Sequence, residues 1–149
     1  MQSWKNFNSF LARLTTEYYS PWINLPIWAL RQVLEEPWSG KAELECDLWV
    51  ATEWILFAAP TYLEDIAQTE PYEERLARAD APGSLCPDFS VRGIHRVNFW
   101  ATRLKYFHEN AQELGLDNVM QDRLARALHE LEKFQTNRKA DLETHETGQ

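Results

Sequence analysis

Glycine is scarce in this chain, five in 149 residues. Neither a G-x-G-x-x-G nor a G-x-x-x-x-G-K-[ST] string occurs, so phosphate-cradling nucleotide-binding folds are set aside. Cysteine is scarcer still. Cys46 and Cys86 form no C-x-x-C pair, and one conceivable bridge is too few for a secreted disulfide framework, which leads to the expectation of a reducing, cytoplasmic setting. Basic residues are outnumbered by 23 acidic to 15, a net charge of −8, which makes nucleic acid and anionic lipid poor partners. Long apolar runs are also lacking. The stretches Tyr18 to Leu30 and Trp54 to Leu63 are uncharged but contain proline, and both fall short of the ~20 residues that span a bilayer. The opening MQSWKNFNSF has no continuous apolar core of a signal peptide, so no secretion by that route is expected.

What is present is material for a core: 44% hydrophobic and 13% aromatic residues in a chain of ordinary single-domain length. The acidic excess is local. Residues 1–40 carry three charges of each sign and residues 91–149 nine of each, whereas residues 41–90 carry three basic against eleven acidic.

The apolar period is helical nearly throughout, which predicts an all-α array of about five helices. Phe7, Phe10, Leu11, Leu14 and Tyr18 line one side of a first helix broken at Pro21. A second, from about Pro26, carries Ile27, Leu30, Val33 and Leu34 and stops before Pro37. The third, from about Lys41 to Ala59, is polar at its start and then apolar around its circumference, the pattern of a central buried helix that Pro60 kinks or ends. Residues 61–89 read as a helical continuation, an acidic patch and the punctuation APGSLCPD: a long acidic loop, with Glu64 to Asp80 forming a lid or surface segment. A fourth helix from near Ser90 to Leu114 buries Phe99, Trp100, Leu104 and Phe107, and Gly115 stops it. Asp117 caps a fifth, with Met120, Leu124, Ala127, Leu128, Leu131 and Phe134 on one face. The reading is one helical domain over 1–138 and a charged tail over 139–149 that frays into solvent or weakly extends the helix.

The strings SWKNFNSFLARL, WINLPIWALRQVLEE, ATEWILFAA and RVNFWATRL resemble a fungal family of unknown function, DUF3632, over about residues 3–107. That family's Arg-Trp-x-Phe-Trp-x-x-Arg motif falls on Arg96, Val97, Phe99, Trp100 and Arg103, with Val97 departing from the tryptophan. The resemblance implies an all-α fold, a fungal cytoplasmic source, no assigned activity, and a chain shortened at its N-terminus relative to other members. Apolar surface left uncovered by such shortening would be matched by a second copy, as a homodimer.

Catalytic signatures fail by spacing. No H-E-x-x-H, E-x-x-H or G-x-S-x-G occurs, so neither a metal nor another cofactor is expected. Glu43 and Asp47 share a helical face, where they could hold a hard cation; an acidic first turn favoured by the helix dipole is the simpler reading. His129 and His145 lie at exposed positions. His95 and His108, beside Phe99 and Leu104, fit half-buried packing or the edge of a pocket.

Two placements stand out. The helical neighbours of Glu53 are Trp49, Val50, Leu56 and Phe57, and those of Arg103 are Phe99, Trp100, Tyr106 and Phe107. A buried charge persists only when paired, so Glu53 and Arg103 are expected to meet, with Arg31 as a third member. The pairing fits a register-fixing ion network or the floor of an aromatic pocket in which arginine anchors a ligand oxygen and glutamate moves a proton. Seven tryptophans supply the walls, with Trp28, Trp49, Trp54 and Trp100 the candidates for ligand contact beside Arg31 and His95. The expected function is a cofactor-independent small-molecule protein, an acid/base cyclase or isomerase or a simple binder of a hydrophobic molecule. The alternative is a non-catalytic helical interaction module.

Overall fold

A helix that is apolar all round must be surrounded, and the third helix is. In the computed structural model, which describes residues 1–15, 24–68, 78–86 and 92–147, α3 (Lys41–Ala67) packs against all four other helices. These are α1 (Gln2–Leu14), α2 (Asn24–Leu30, continued by a π-helical turn over Arg31–Glu35), α4 (Ile94–Glu109) and α5 (Asn118–Thr147). No strand occurs among the described residues, so the architecture is all-α as expected. No helix among them is long and apolar enough to cross a membrane.

Pro60 does not end α3. Burial of Tyr62, Leu63, Ile66 and Ala67 beyond it outweighs the roughly 3 kcal/mol that an internal proline costs, and Pro60 itself lies on the exposed side. α4 starts at Ile94, after Gly93 at φ 137°, and ends at Glu109; turns then lead to Gly115, whose positive φ reverses the chain. Asp117 caps α5 as expected, its Oδ1 accepting the Met120 N–H at 2.8 Å. Beyond Arg138 the helix continues through Thr147.

The first helix departs from its apolar pattern. Its buried side is Asn8, Leu11, Ala12 and Thr15, whereas Trp4, Phe7, Phe10 and Leu14 are exposed; Tyr18 lies outside the described residues. The polar Asn8 turns inward because Trp54 donates its indole N–H to Asn8 Oδ1 at 3.0 Å, and the Asn8 amide donates to the Trp4 carbonyl at 3.0 Å. A buried indole N–H requires such an acceptor.

The long acidic loop is not confirmed, and its ends are tied to the helices. Glu64 and Asp65 are on α3 and pair with Arg138 and Arg92. Asp80 is fully buried. Residues 69–77 and 87–89 of the expected loop lie outside the described residues.

Tyr62 is buried and its hydroxyl has no hydrogen-bond partner among the described residues, and burial pushes its ionisation far above the ordinary tyrosine range. An unsatisfied buried hydroxyl is a net cost. Tyr62→Phe should therefore leave stability unchanged or raise it by up to about 1 kcal/mol, read from urea melts; a loss of more than that would mean the hydroxyl has a partner.

Candidate functional site

Three groupings of polar side chains meet the packed helices, and the expected pairs are rearranged among them. The first is built on the π-helical turn. Glu35, at its last position, is fully buried. Arg96 of α4 grips it at both oxygens, Nε to Oε1 at 2.7 Å and Nη2 to Oε2 at 3.1 Å. Trp100 donates its indole N–H to Oε1 at 2.6 Å, and the Gly83 backbone N–H donates to Oε2 at 2.7 Å. A forked guanidinium–carboxylate pair with every remaining lone pair occupied is the arrangement in which burial of two charges is tolerated. Arg96 Nη1 also donates to the Asp80 carbonyl at 2.6 Å, which ties segment 78–86 to the core. Gly83 must be glycine here, since a Cβ would lie 2.6 Å from the Glu35 carbonyl oxygen. Cys86, against the same cluster, has its thiol pushed up to about 11 by burial and by the nearby Glu35 charge, with Arg96 opposing.

The second grouping holds Glu53, which is 1% exposed. Its partner is Arg123 of α5, not Arg103: Arg123 Nη2 donates to Glu53 Oε1 at 2.7 Å and Nε to Thr52 Oγ1 at 3.1 Å. The same guanidinium lies 3.7 Å over the Trp49 ring. Glu53 Oε2 accepts the Ser9 hydroxyl at 2.7 Å and faces Arg13 at 3.5 Å.

Arg103 does something else. Its Nε donates to the Leu34 carbonyl at 3.1 Å, and its guanidinium lies 5.3 and 5.2 Å from the Tyr106 and Phe107 rings. A helix end leaves carbonyls without donors at the negative pole of its dipole, and Arg103 supplies a cation to the end of the π turn. Arg31 joins neither group; it pairs with Glu36 at 3.2 Å. Trp54 and Trp100 are fully buried with their N–H groups on Asn8 and Glu35, so both rings are part of the core. His95 is exposed on α4, as is His108.

The third grouping is concave. Between α1, α2 and α3 lies a groove of about 390 Å³, within the roughly 300–1,000 Å³ range of small-molecule sites. Trp4 and Trp28, 49% and 46% exposed, stand in its wall with Leu25 and Val50, and Gln32, Glu43 and Asp47 supply polar groups. Trp28 is fixed by donating to the Ala79 carbonyl at 2.9 Å. Glu43 is held below its ordinary range by hydrogen bonds from the Ser39 hydroxyl and backbone N–H. Asp47 is raised by burial and by Glu43, with a hydrogen bond from Gln32 opposing. Of the expected ligand contacts only Trp28 reaches this groove.

Sequence reasoning missed Arg123, Glu35 and Arg96 as core ions. For Arg123 a weaker signal existed: three of its four helical neighbours, Val119, Met120 and Ala127, are apolar, and the fourth is Arg126. Arg96 carried one only through the family motif. Glu35, flanked on its helix by Arg31 and Gln32 and followed by Pro37, carried none.

A family model described as a protein of unknown function, DUF3632, matches residues 1–104. No curated protein and no solved structure matches the chain. The matched span contains the groove and the whole Glu35–Arg96–Trp100 cluster, and it ends before Arg123.

Proposed function

This chain belongs to the DUF3632 family, which brings no activity with it, and we propose that it is a cofactor-independent small-molecule-binding protein whose ligand occupies the groove between α1, α2 and α3. The observation that carries this reading is the groove itself, a concave aromatic wall with a few convergent polar groups, the usual composition of a ligand site. Binding is preferred to acid/base turnover as a cyclase or isomerase. Such turnover needs a carboxylate free to exchange a proton with substrate, and both oxygens of Glu53 are engaged by arginine and serine deep in the core.

The test uses a panel of indole probes of one shape: tryptamine, tryptophol and indole-3-propionate. At least one should bind the parent and shift the indole N–H resonances of Trp4 and Trp28. Ala29→Trp, which fills the groove, should abolish that binding while the circular dichroism melt stays that of a folded protein. Probes that bind parent and variant alike, or that bind neither, overturn the reading.

A second reading, as a non-catalytic interaction module, is favoured by one observation: Trp4, Phe7, Phe10 and Leu14 form an exposed apolar stripe on α1, with Phe7 50% and Phe10 64% exposed. Its proposed occupant is a second copy of the chain across a two-fold axis. The two cations of α1 would not oppose this, since Lys5 lies over Trp49 on its own chain and Arg13 lies over Phe57 and against Glu53. Light scattering should then give a dimer mass for the parent and a monomer mass for Phe7→Glu combined with Phe10→Glu. A parent that stays monomeric at high concentration removes this reading.

A further inference from the structure

We propose that the ligand of the α1–α2–α3 groove is an organic cation, an aromatic amine whose ammonium sits at Asp47 and whose ring lies against Trp28 and Trp4. The proposal rests on the groove being a ligand site and adds the chemical class of its occupant.

The argument is one of charge left over. Among the described residues, the other charged side chains near the groove are already engaged. Glu43 accepts two hydrogen bonds from Ser39, Arg31 is paired with Glu36, Lys41 with Glu45, and Lys5 lies over Trp49. Asn8 is buried with both its amide oxygen and its amide nitrogen used. Asp47 faces Gln32 and a like charge at Glu43, and none of the described residues lining the groove is a cation. A half-buried carboxylate beside a second carboxylate is stabilised by an opposite charge arriving from outside.

The walls narrow the choice of cation. Tryptophan faces attract a cation through the ring quadrupole and accept a flat apolar body, a combination suited to organic ammonium groups. A divalent metal ion fits poorly: Ca²⁺ takes about 6–8 oxygen ligands, and among the described residues no group of three His, Cys, Asp or Glu side chains could hold a metal. An anion would meet two carboxylates, with no compensating base among the described residues that line the groove.

The three indole probes separate this proposal from the reading beneath it, because they share one ring and differ in the charge of the side chain. Followed by NMR titration at neutral pH, tryptamine should bind at least tenfold more tightly than tryptophol, and indole-3-propionate should bind most weakly. Asp47→Asn should bring tryptamine down to the level of tryptophol and leave tryptophol unchanged. Trp28→Leu should weaken both. A capped lysine amide, which offers the ammonium on a bare alkyl stem, should bind more weakly than tryptamine.

If tryptophol binds as tightly as tryptamine, or Asp47→Asn leaves tryptamine binding intact, the cation is wrong and the groove remains a small-molecule site. If no probe binds, the groove reading fails and this proposal with it. Capped lysine binding as tightly as tryptamine would assign the site to a lysine of a protein partner and overturn the free-amine proposal. Circular dichroism melts of both variants confirm that a lost signal is not a lost fold.

Discussion

Replacement of Glu35 by leucine is expected to destabilise the protein by about 3–5 kcal/mol, the cost of leaving a buried charge without its partner. Arg96 would remain fully buried with its carboxylate gone, and the indole N–H of Trp100 and the backbone N–H of Gly83 would lose their acceptor at the same time. For a chain of this size that corresponds to a fall in melting temperature on the order of 10 °C. Arg96→Met should cost a similar amount. The double variant Glu35→Leu with Arg96→Met should recover only part of the loss, because the two N–H donors stay unsatisfied even when both charges are removed. Gly83→Ala should weaken the same cluster from the other side by forcing segment 78–86 away from the Glu35 backbone. Urea denaturation of the four variants measures all of this. A Glu35→Leu variant within about 1 kcal/mol of the parent would show that the cluster does not hold the helices together.

The next largest effect concerns Glu53, and it discriminates between its two candidate partners. Arg123→Met leaves a carboxylate in the core with only Ser9 and the exposed Arg13 to answer it, so a loss of roughly 3–5 kcal/mol is expected. Glu53→Leu combined with Arg123→Met should recover much of that. Arg103→Met removes a hydrogen bond to one carbonyl and two ring contacts from a part-buried position, for an expected cost below about 2 kcal/mol. Combined with Glu53→Leu it should add independently, to within about 0.5 kcal/mol. A coupling between Glu53 and Arg103 larger than that between Glu53 and Arg123 would overturn the assignment.

The elements that the residues predicted are those whose evidence is local. The buried third helix, the stop before Pro37, the cap at Asp117 and the apolar face of the last helix depend on spacings of one to four residues, and each appears where expected. Where packing could override a local preference, it did. Pro60 sits inside α3 because the turns beyond it bury large side chains, and α1 presents Asn8 rather than Phe7 to the core because Trp54 needs an acceptor there.

From the sequence alone came the all-α class, the family resemblance, and the fact that Glu53 must be paired, since four apolar neighbours on one helix leave a carboxylate no water to face. The identity of its partner did not. Glu53 and Arg123 are 70 residues apart, and Glu35 and Arg96 are 61. Which cation reaches which carboxylate depends on how α4 and α5 are set against α2 and α3, a matter of long-range packing on which helical periodicity is silent. The groove has the same origin. Trp4, Trp28 and Asp47 come from three helices, each an ordinary surface residue in its own segment, and only the angle between those helices makes a concave wall of them.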